Sequence, residues 1–120
     1  MSTTIADVVA EHLTIWNSPA GEARSRSIAS TYSSDVLVAE TDAAFHGHKG
    51  VEQAIDALQG AMPGMEITLS GPIQTAQELS TYTWTLGPAG APPVVTGRDV
   101  ITVQNGVVES VYVVIDAPGQ

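Results

Sequence analysis

The chain has no cysteine among its 120 residues, which excludes disulfide bridges and thiolate metal centres. Basic side chains are nearly as scarce. Four Lys and Arg stand against thirteen Asp and Glu, a formal net charge of −9, and so acidic a surface repels phosphate backbones and anionic headgroups. Nucleic acids and membranes are therefore not expected as partners. No stretch approaches the roughly 20 consecutive apolar residues that cross a bilayer. Met1-Ser2-Thr3-Thr4 lacks the basic-then-apolar pattern of a secretory signal, so a cytoplasmic location is expected. Internal repeats and low-complexity tracts are missing too. What is present, 43% hydrophobic against 14% charged residues, describes an ordered chain, expected to form one domain over residues 1–120 with a core large enough to enclose a pocket.

Ile5, Val8, Val9, His12, Leu13 and Trp16 recur at helical spacing, so a first helix buries one stripe, capped by Thr3 or Thr4. His12 and Trp16 lie one turn apart on that stripe and point inward, as core residues or as the lining of a pocket. Ser18 before Pro19 has the form of an N-cap followed by N1, and a second helix is expected from there to about Tyr32. Its Glu22, Arg24 and Arg26 form a solvated face in this reading. Phe45-His46-Gly47-His48-Lys49-Gly50 leads into a third helix with the stripe Val51, Ala54, Ile55, Leu58 and Met62, which stops at Met62-Pro63-Gly64. His46 and His48, two apart beside Gly47, have no third ligand at a suggestive spacing. They are read as a surface pair, and neither metal nor cofactor is expected.

The strands carry the acidic residues of interest. In the short strand 35–40, Val36, Val38 and Glu40 share one face. If that face is interior, burial disfavours the charged form of Glu40 and suits it to act as a general base near neutrality. Residues 66–77 read as one long bent strand broken at Gly71-Pro72, followed by a strand over 79–86 and a loop over 87–93. The chain closes on a hairpin, Val94 to Asp116, turned by Asn105-Gly106, whose two residues tolerate the positive φ of a type I′ turn. A regular ladder from that turn pairs Val103 with Val108, Ile101 with Ser110 and Asp99 with Tyr112. Asp99 thus stands beside a phenol on an otherwise apolar strand. Such a carboxyl is either a satisfied structural contact or part of a site.

Helix, helix, strand, helix and a run of long antiparallel strands make an α+β layer fold. Both faces of the last strand are apolar, Val111, Val113 and Ile115 on one and Tyr112 and Val114 on the other. Helices can cover one face. A homodimer packed through the outer face is the expected cover for the second.

The order of several short motifs resembles the nuclear-transport-factor-2-like superfamily, in particular its SnoaL-like branch of polyketide cyclases and ketosteroid-isomerase relatives. The carriers are Trp16-Asn17, Tyr32-Ser33-Ser34-Asp35, Phe45-His46-Gly47-His48, Pro63-Gly64, Thr96-Gly97-Arg98-Asp99-Val100 and Asn105-Gly106, spread over nearly the whole chain. The resemblance implies a cone-shaped, strongly curved antiparallel sheet wrapped around three N-terminal helices, a cystatin-like α+β barrel with a deep apolar pocket. It also places the family's general base at Glu40, its oxyanion-stabilising aspartic acid at Asp99 and a supporting tyrosine at Tyr32. In ketosteroid isomerase, a known precedent, an apolar site keeps such a carboxyl neutral. The first helix here departs from that pattern in having no tyrosine, and Tyr112 is the expected replacement phenol.

The expected activity is therefore a cofactor-free isomerase or cyclase for a hydrophobic steroid-, polyketide- or terpenoid-like substrate. Glu40 would take a proton next to a carbonyl while Asp99, helped by Tyr112 or His12, stabilises the oxyanion, inside a pocket lined by His12, Trp16, Tyr32, Val38, Tyr112 and Val114. Two alternatives stand beside it. One is a non-catalytic binding protein for a small apolar ligand. The other is an epoxide-hydrolase-like site using Asp99, Arg98 and Asp116, which the opposite orientation of adjacent strand residues Arg98 and Asp99 disfavours.

Overall fold

A computed structural model describes residues 4–116. Helix α1 spans Ile5–Trp16, α2 Glu22–Thr31 and α3 Gly47–Ala61. The strands are β1 (Tyr32–Ala39), β2 (Ala44–His46), β3 (Met65–Leu69), β4 (Gln74–Ala76), β5 (Leu79–Pro88), β6 (Val95–Gln104) and β7 (Val107–Ile115). They form one curved, unclosed sheet in the order β2-β1-β7-β6-β5-β3, with β4 also on β5. The expected α+β architecture is present, with two corrections. The sheet is mixed, because β1 runs parallel to β7, and its ends do not meet, so it is a curved sheet and not a closed barrel.

Local chemistry explains where the elements begin. Thr4 caps α1 in a reciprocal capping box, its hydroxyl accepting from Asp7 N–H at 3.1 Å while the Asp7 carboxylate accepts from Thr4 N–H at 3.3 Å. Ser18 does not cap α2. Its hydroxyl donates backward to Thr14 O at 2.6 Å and its N–H to Ile15 O at 3.1 Å, which extends the end of α1, so α2 starts at Glu22 instead.

Arg24 is not on a solvated face either. It is 3% exposed and donates to Glu52 at 2.8 Å, Asp56 at 2.6 Å and Ser18 O at 3.1 Å, satisfying a guanidinium that burial would otherwise penalise. That cluster ties α2 and the end of α1 to α3. Arg26 and Glu22 are exposed, 3.8 Å apart.

The segment expected as one bent strand is two short ones, β3 and β4, both paired with β5. Strand β3 lies at the sheet edge, and the Asn17 side chain occupies its free side as a strand would. Asn17 Nδ2 donates to Ile67 O at 2.9 Å and Ile67 N–H donates to Asn17 Oδ1 at 2.8 Å.

The largest correction lies in the β6–β7 hairpin. The Asn105-Gly106 turn forms as expected, with φ of 53° and 80°, and Val103 does pair with Val108. The register then shifts by one residue. Thr102 faces Ser110, Ile101 faces Val111 and Asp99 faces Val113, which leaves Glu109 as the extra residue of a β-bulge. Every residue beyond it changes face relative to a regular ladder. Val111 is buried and Val113 half-buried on the inner side, while Tyr112 and Val114 turn outward, 45% and 52% exposed.

The core lies between the helices and the inner sheet face. Val8, Val9, Ile15, Val51 and Ile55 pack with Val36, Val38, Ile101, Val108 and Val111, each at most 4% exposed.

Candidate active site: an apolar cavity with two unlike carboxyls

The curved sheet leaves a cavity of about 360 Å³, within the range of small-molecule sites. Leu13, Ala54, Leu58 and Met62 line it from the helices, and Ile67, Leu86, Val95, Val111, Val113 and Ile115 from the sheet. Its ionisable lining consists of His12, Glu40 and Asp99, joined by Trp16 and Trp84.

Asp99 projects inward from the middle of β6 and is 5% exposed. Its register partner on β5 is Tyr82, whose hydroxyl donates to Asp99 Oδ2 at 2.7 Å. Trp84 Nε1–H donates to Oδ1 at 2.9 Å. This second contact depends on Gly97, the cross-strand partner of Trp84. A Cβ at that position would lie 2.5 Å from the Trp84 ring and 2.5 Å from Val114 O, so only glycine leaves room for the indole to cross β6.

His12 Nε2 completes the shell at 3.2 Å from Asp99 Oδ2. Its Nδ1 meets the Tyr32 hydroxyl, which also accepts from Trp16 Nε1–H at 3.2 Å. Matching donors to acceptors assigns the protons in this chain. With His12 carrying its proton on Nε2, Tyr32 O–H donates to Nδ1 and Nε2–H donates to Asp99. The opposite tautomer would leave the buried Tyr32 proton without an acceptor. Burial pushes both phenols well above their ordinary range, and the charge of Asp99 adds to this at Tyr82 and Tyr32, so both remain neutral donors. The two oxygens of Asp99 therefore face three protein donors. The expected neutral Asp99, donating to a substrate oxygen, does not match a group whose two oxygens already face protein donors.

Glu40 is different in each respect. It follows the last residue of β1, in the four-residue connection to β2, where its N–H donates to Ala43 O at 2.8 Å. The side chain falls on the face of Val36 and Val38, reaches the cavity lining and is half-buried. Burial alone raises its pKa, with neither hydrogen bonds nor neighbouring charges contributing to the shift. Among the described residues its carboxyl has no side-chain partner.

Of the expected pocket residues, His12 and Trp16 line the cavity together with Glu40 and Asp99. Tyr32, 1% exposed, stands behind them as a link in the hydrogen-bond chain, and Val38, 0% exposed, is packed in the core. Tyr112 and Val114 lie on the opposite face because of the bulge. The phenol beside Asp99 is supplied by Tyr82. Its signal was the alternation Tyr82-Thr83-Trp84-Thr85-Leu86, a half-buried strand with its large residues on one face. Arg98 points outward and donates to Thr81 Oγ1 at 2.9 Å, and Asp116 accepts from Thr96 Oγ1 at 2.6 Å, so neither joins Asp99 around a shared water. His46 is exposed on β2, and His48 bonds Tyr32 O through Nε2 at 2.8 Å.

Three helices packed on a curved, unclosed sheet around an apolar cavity define the nuclear-transport-factor-2-like fold, and this chain has it. It is similar over 93% of its length, with a TM-score of 0.85 and 19% identity, to 97% of a candidate isomerase of the SnoaL-like family from Agrobacterium tumefaciens. A candidate polyketide cyclase from Sinorhizobium meliloti aligns over 89% of this chain and 93% of its own, at 13% identity and TM-score 0.72. A hypothetical protein with a ketosteroid-isomerase-like fold from Catenulispora acidiphila, solved in complex with trimethylamine, aligns over 92% and 85%, at 14% identity and TM-score 0.74. No protein-family model matches the chain, nor does any curated protein. Among the described residues no helix is long and apolar enough to cross a membrane.

Proposed function

We propose that the chain is a small-molecule enzyme in which Glu40 transfers a proton next to a carbonyl of an apolar substrate, without a cofactor. The observation that carries this reading is the half-buried Glu40 carboxyl, without a side-chain partner among the described residues, in an apolar cavity that raises its pKa by burial. A base in such a place accepts a proton near neutrality more readily than a solvated glutamate. Returned to another carbon, that proton completes an isomerisation. If the enolate carbon instead attacks a second carbonyl of the same substrate, that C=O opens to an alkoxide, which takes the proton back from Glu40, and a ring closes. Asp99 then positions rather than donates, holding Trp84, Tyr82 and His12 along one wall.

The test is turnover of an enolisable ketone panel, steroid, polyketide and terpenoid-like, by wild type and Glu40→Gln. Loss of about 10²–10⁴-fold, the usual scale for removing a general base, supports the proposal. Equal rates in the two proteins, or no turnover by wild type across the panel, would sink it.

One observation favours a second reading, a binding protein for an apolar ligand. The His12, Tyr82 and Trp84 donors beside the cavity are already committed to Asp99, which leaves no side-chain donor among the described residues for an enolate oxygen. Saturable binding with no α-proton exchange would establish it.

A homodimer is proposed through the outer sheet face, where exposed Tyr112 stands between Val100 and Ala39 in the ladder. Sedimentation of wild type and Tyr112→Asp should show a dimer converted to a monomer; a wild-type monomer removes this proposal.

A further inference from the structure

We infer that the ligand of this cavity carries an alkylated ammonium group. The inference rests on the cavity being a ligand site, which the enzyme and the binding-protein readings share.

The cavity has two carboxyls, Glu40 and Asp99, and among the described residues neither Lys nor Arg lines it. His12 supplies no positive charge in the tautomer assigned above, since both ring nitrogens are committed, one donating and one accepting. The chain's four basic residues lie elsewhere. Arg24 is consumed by Glu52 and Asp56, Arg26 stands beside Glu22, Lys49 is exposed at the start of α3, and Arg98 is bonded to Thr81 on the outer face. Among the described residues the interior thus carries carboxyls and no Lys or Arg counter-charge. A net charge of −9 extends the same sign to the surroundings, drawing cations and repelling anions.

The lining decides which cation. A metal ion needs several free oxygen ligands at close range, but both Asp99 oxygens already hold donors and no group of three metal-ligating side chains occurs among the described residues. A primary ammonium needs acceptors for three N–H groups, and apart from the two carboxyls the lining side chains are carbon-rich. An ammonium whose substituents are alkyl groups needs neither. It is weakly hydrated, packs its methyl or methylene groups against Leu13, Leu86, Val111 and Val113, and gains from indole rings such as Trp16 and Trp84 as well as from negative charge.

The experiment compares benzyltrimethylammonium, its neutral isostere neopentylbenzene and the anion phenylacetate, at pH 8. Binding is read by tryptophan fluorescence, since the chain's two tryptophans both line the cavity, and by calorimetry. The cation should bind at least tenfold tighter than neopentylbenzene, with phenylacetate weakest. In Glu40→Gln, checked for native folding by near-ultraviolet circular dichroism, the cation's advantage should shrink at least threefold while neopentylbenzene binds as before. Equal binding of cation and isostere, a lead for phenylacetate, or an undiminished advantage in Glu40→Gln overturns the inference. If neopentylbenzene binds and the cation does not, the ammonium inference fails and the ligand site stands. If no probe binds, both fail.

Discussion

Asp99 and Glu40 line one cavity, yet their surroundings differ at every point. Asp99 lies mid-strand, deeply buried, with three donors on its two oxygens. Glu40 lies past a strand end, half-buried, without a partner for its carboxyl among the described residues. A buried polar group that is fully hydrogen-bonded contributes to a unique fold, and its energy is spent on neighbours. One that is desolvated but unpaired keeps its reactivity for whatever enters. Asp99 thus has the surroundings of a structural group and Glu40 those the proposed proton transfer requires, although the two residue types are chemically close.

That assignment can be broken most severely at Asp99. Asp99→Leu leaves the Tyr82, Trp84 and His12 donors buried without acceptors, and should cost about 3–5 kcal/mol of unfolding free energy, as breaking a buried charged contact does. Urea denaturation measures it, and a loss below about 1 kcal/mol would show that the network is not satisfied as described.

Gly97→Ala tests the same region without touching a polar atom. Its new Cβ meets the Trp84 ring and Val114 O, both at 2.5 Å, and overpacking of this kind costs about 1–3 kcal/mol. Trp84 should also be displaced from Asp99, seen as a shift of its indole N–H resonance.

Tyr32→Phe removes the donor to His12 Nδ1 and the acceptor for Trp16, while Asp99 keeps its three donors. A cost of about 1–2 kcal/mol is expected from denaturation, smaller than at Asp99.

Glu40→Gln should have the smallest effect on stability, and its sign depends on pH. Because the folded-state pKa is raised, the native state holds the proton more tightly than the unfolded chain. Below the unfolded value, near the ordinary 4.5, both states are protonated and the residue makes no difference through its charge. As pH rises from there toward the folded value, ionisation favours the unfolded chain and wild type loses stability relative to Glu40→Gln. The variant should therefore gain on wild type between pH 4 and pH 8 in paired thermal scans; a relative loss would mean that Glu40 has an unseen partner.

Much of this contrast was legible in the residues, and what was not had a physical reason. The Thr4 cap, the α1 and α3 stripes and the Asn105-Gly106 turn are local features, and they formed where local rules placed them. Glu40 could be put on the inner face because Val36 and Val38 set the parity over only five residues. Tyr112 could not, since its parity depends on whether Glu109 is paired, and a bulge is decided by how a strand fits its neighbour. The parallel β1–β7 contact likewise arises from the return of distant chain. Arg24 read as surface because its partners, Glu52 and Asp56, lie on another helix. Asp99 was recognisable as anomalous, but its satisfied state was not, because two of its three donors reach it from β5 and the third from α1.

The most direct test of the central claim is a carboxyl ¹³C titration of glutamate-labelled protein, with Glu40→Gln identifying the Glu40 resonance, repeated in the presence of a ligand that saturates the cavity. The expected result is a Glu40 resonance that titrates above the ordinary 4.5 and changes its midpoint when the cavity fills. A Glu40 that titrates at or below the ordinary value and does not respond to the ligand would contradict the claim that it is the free, desolvated carboxyl of the site.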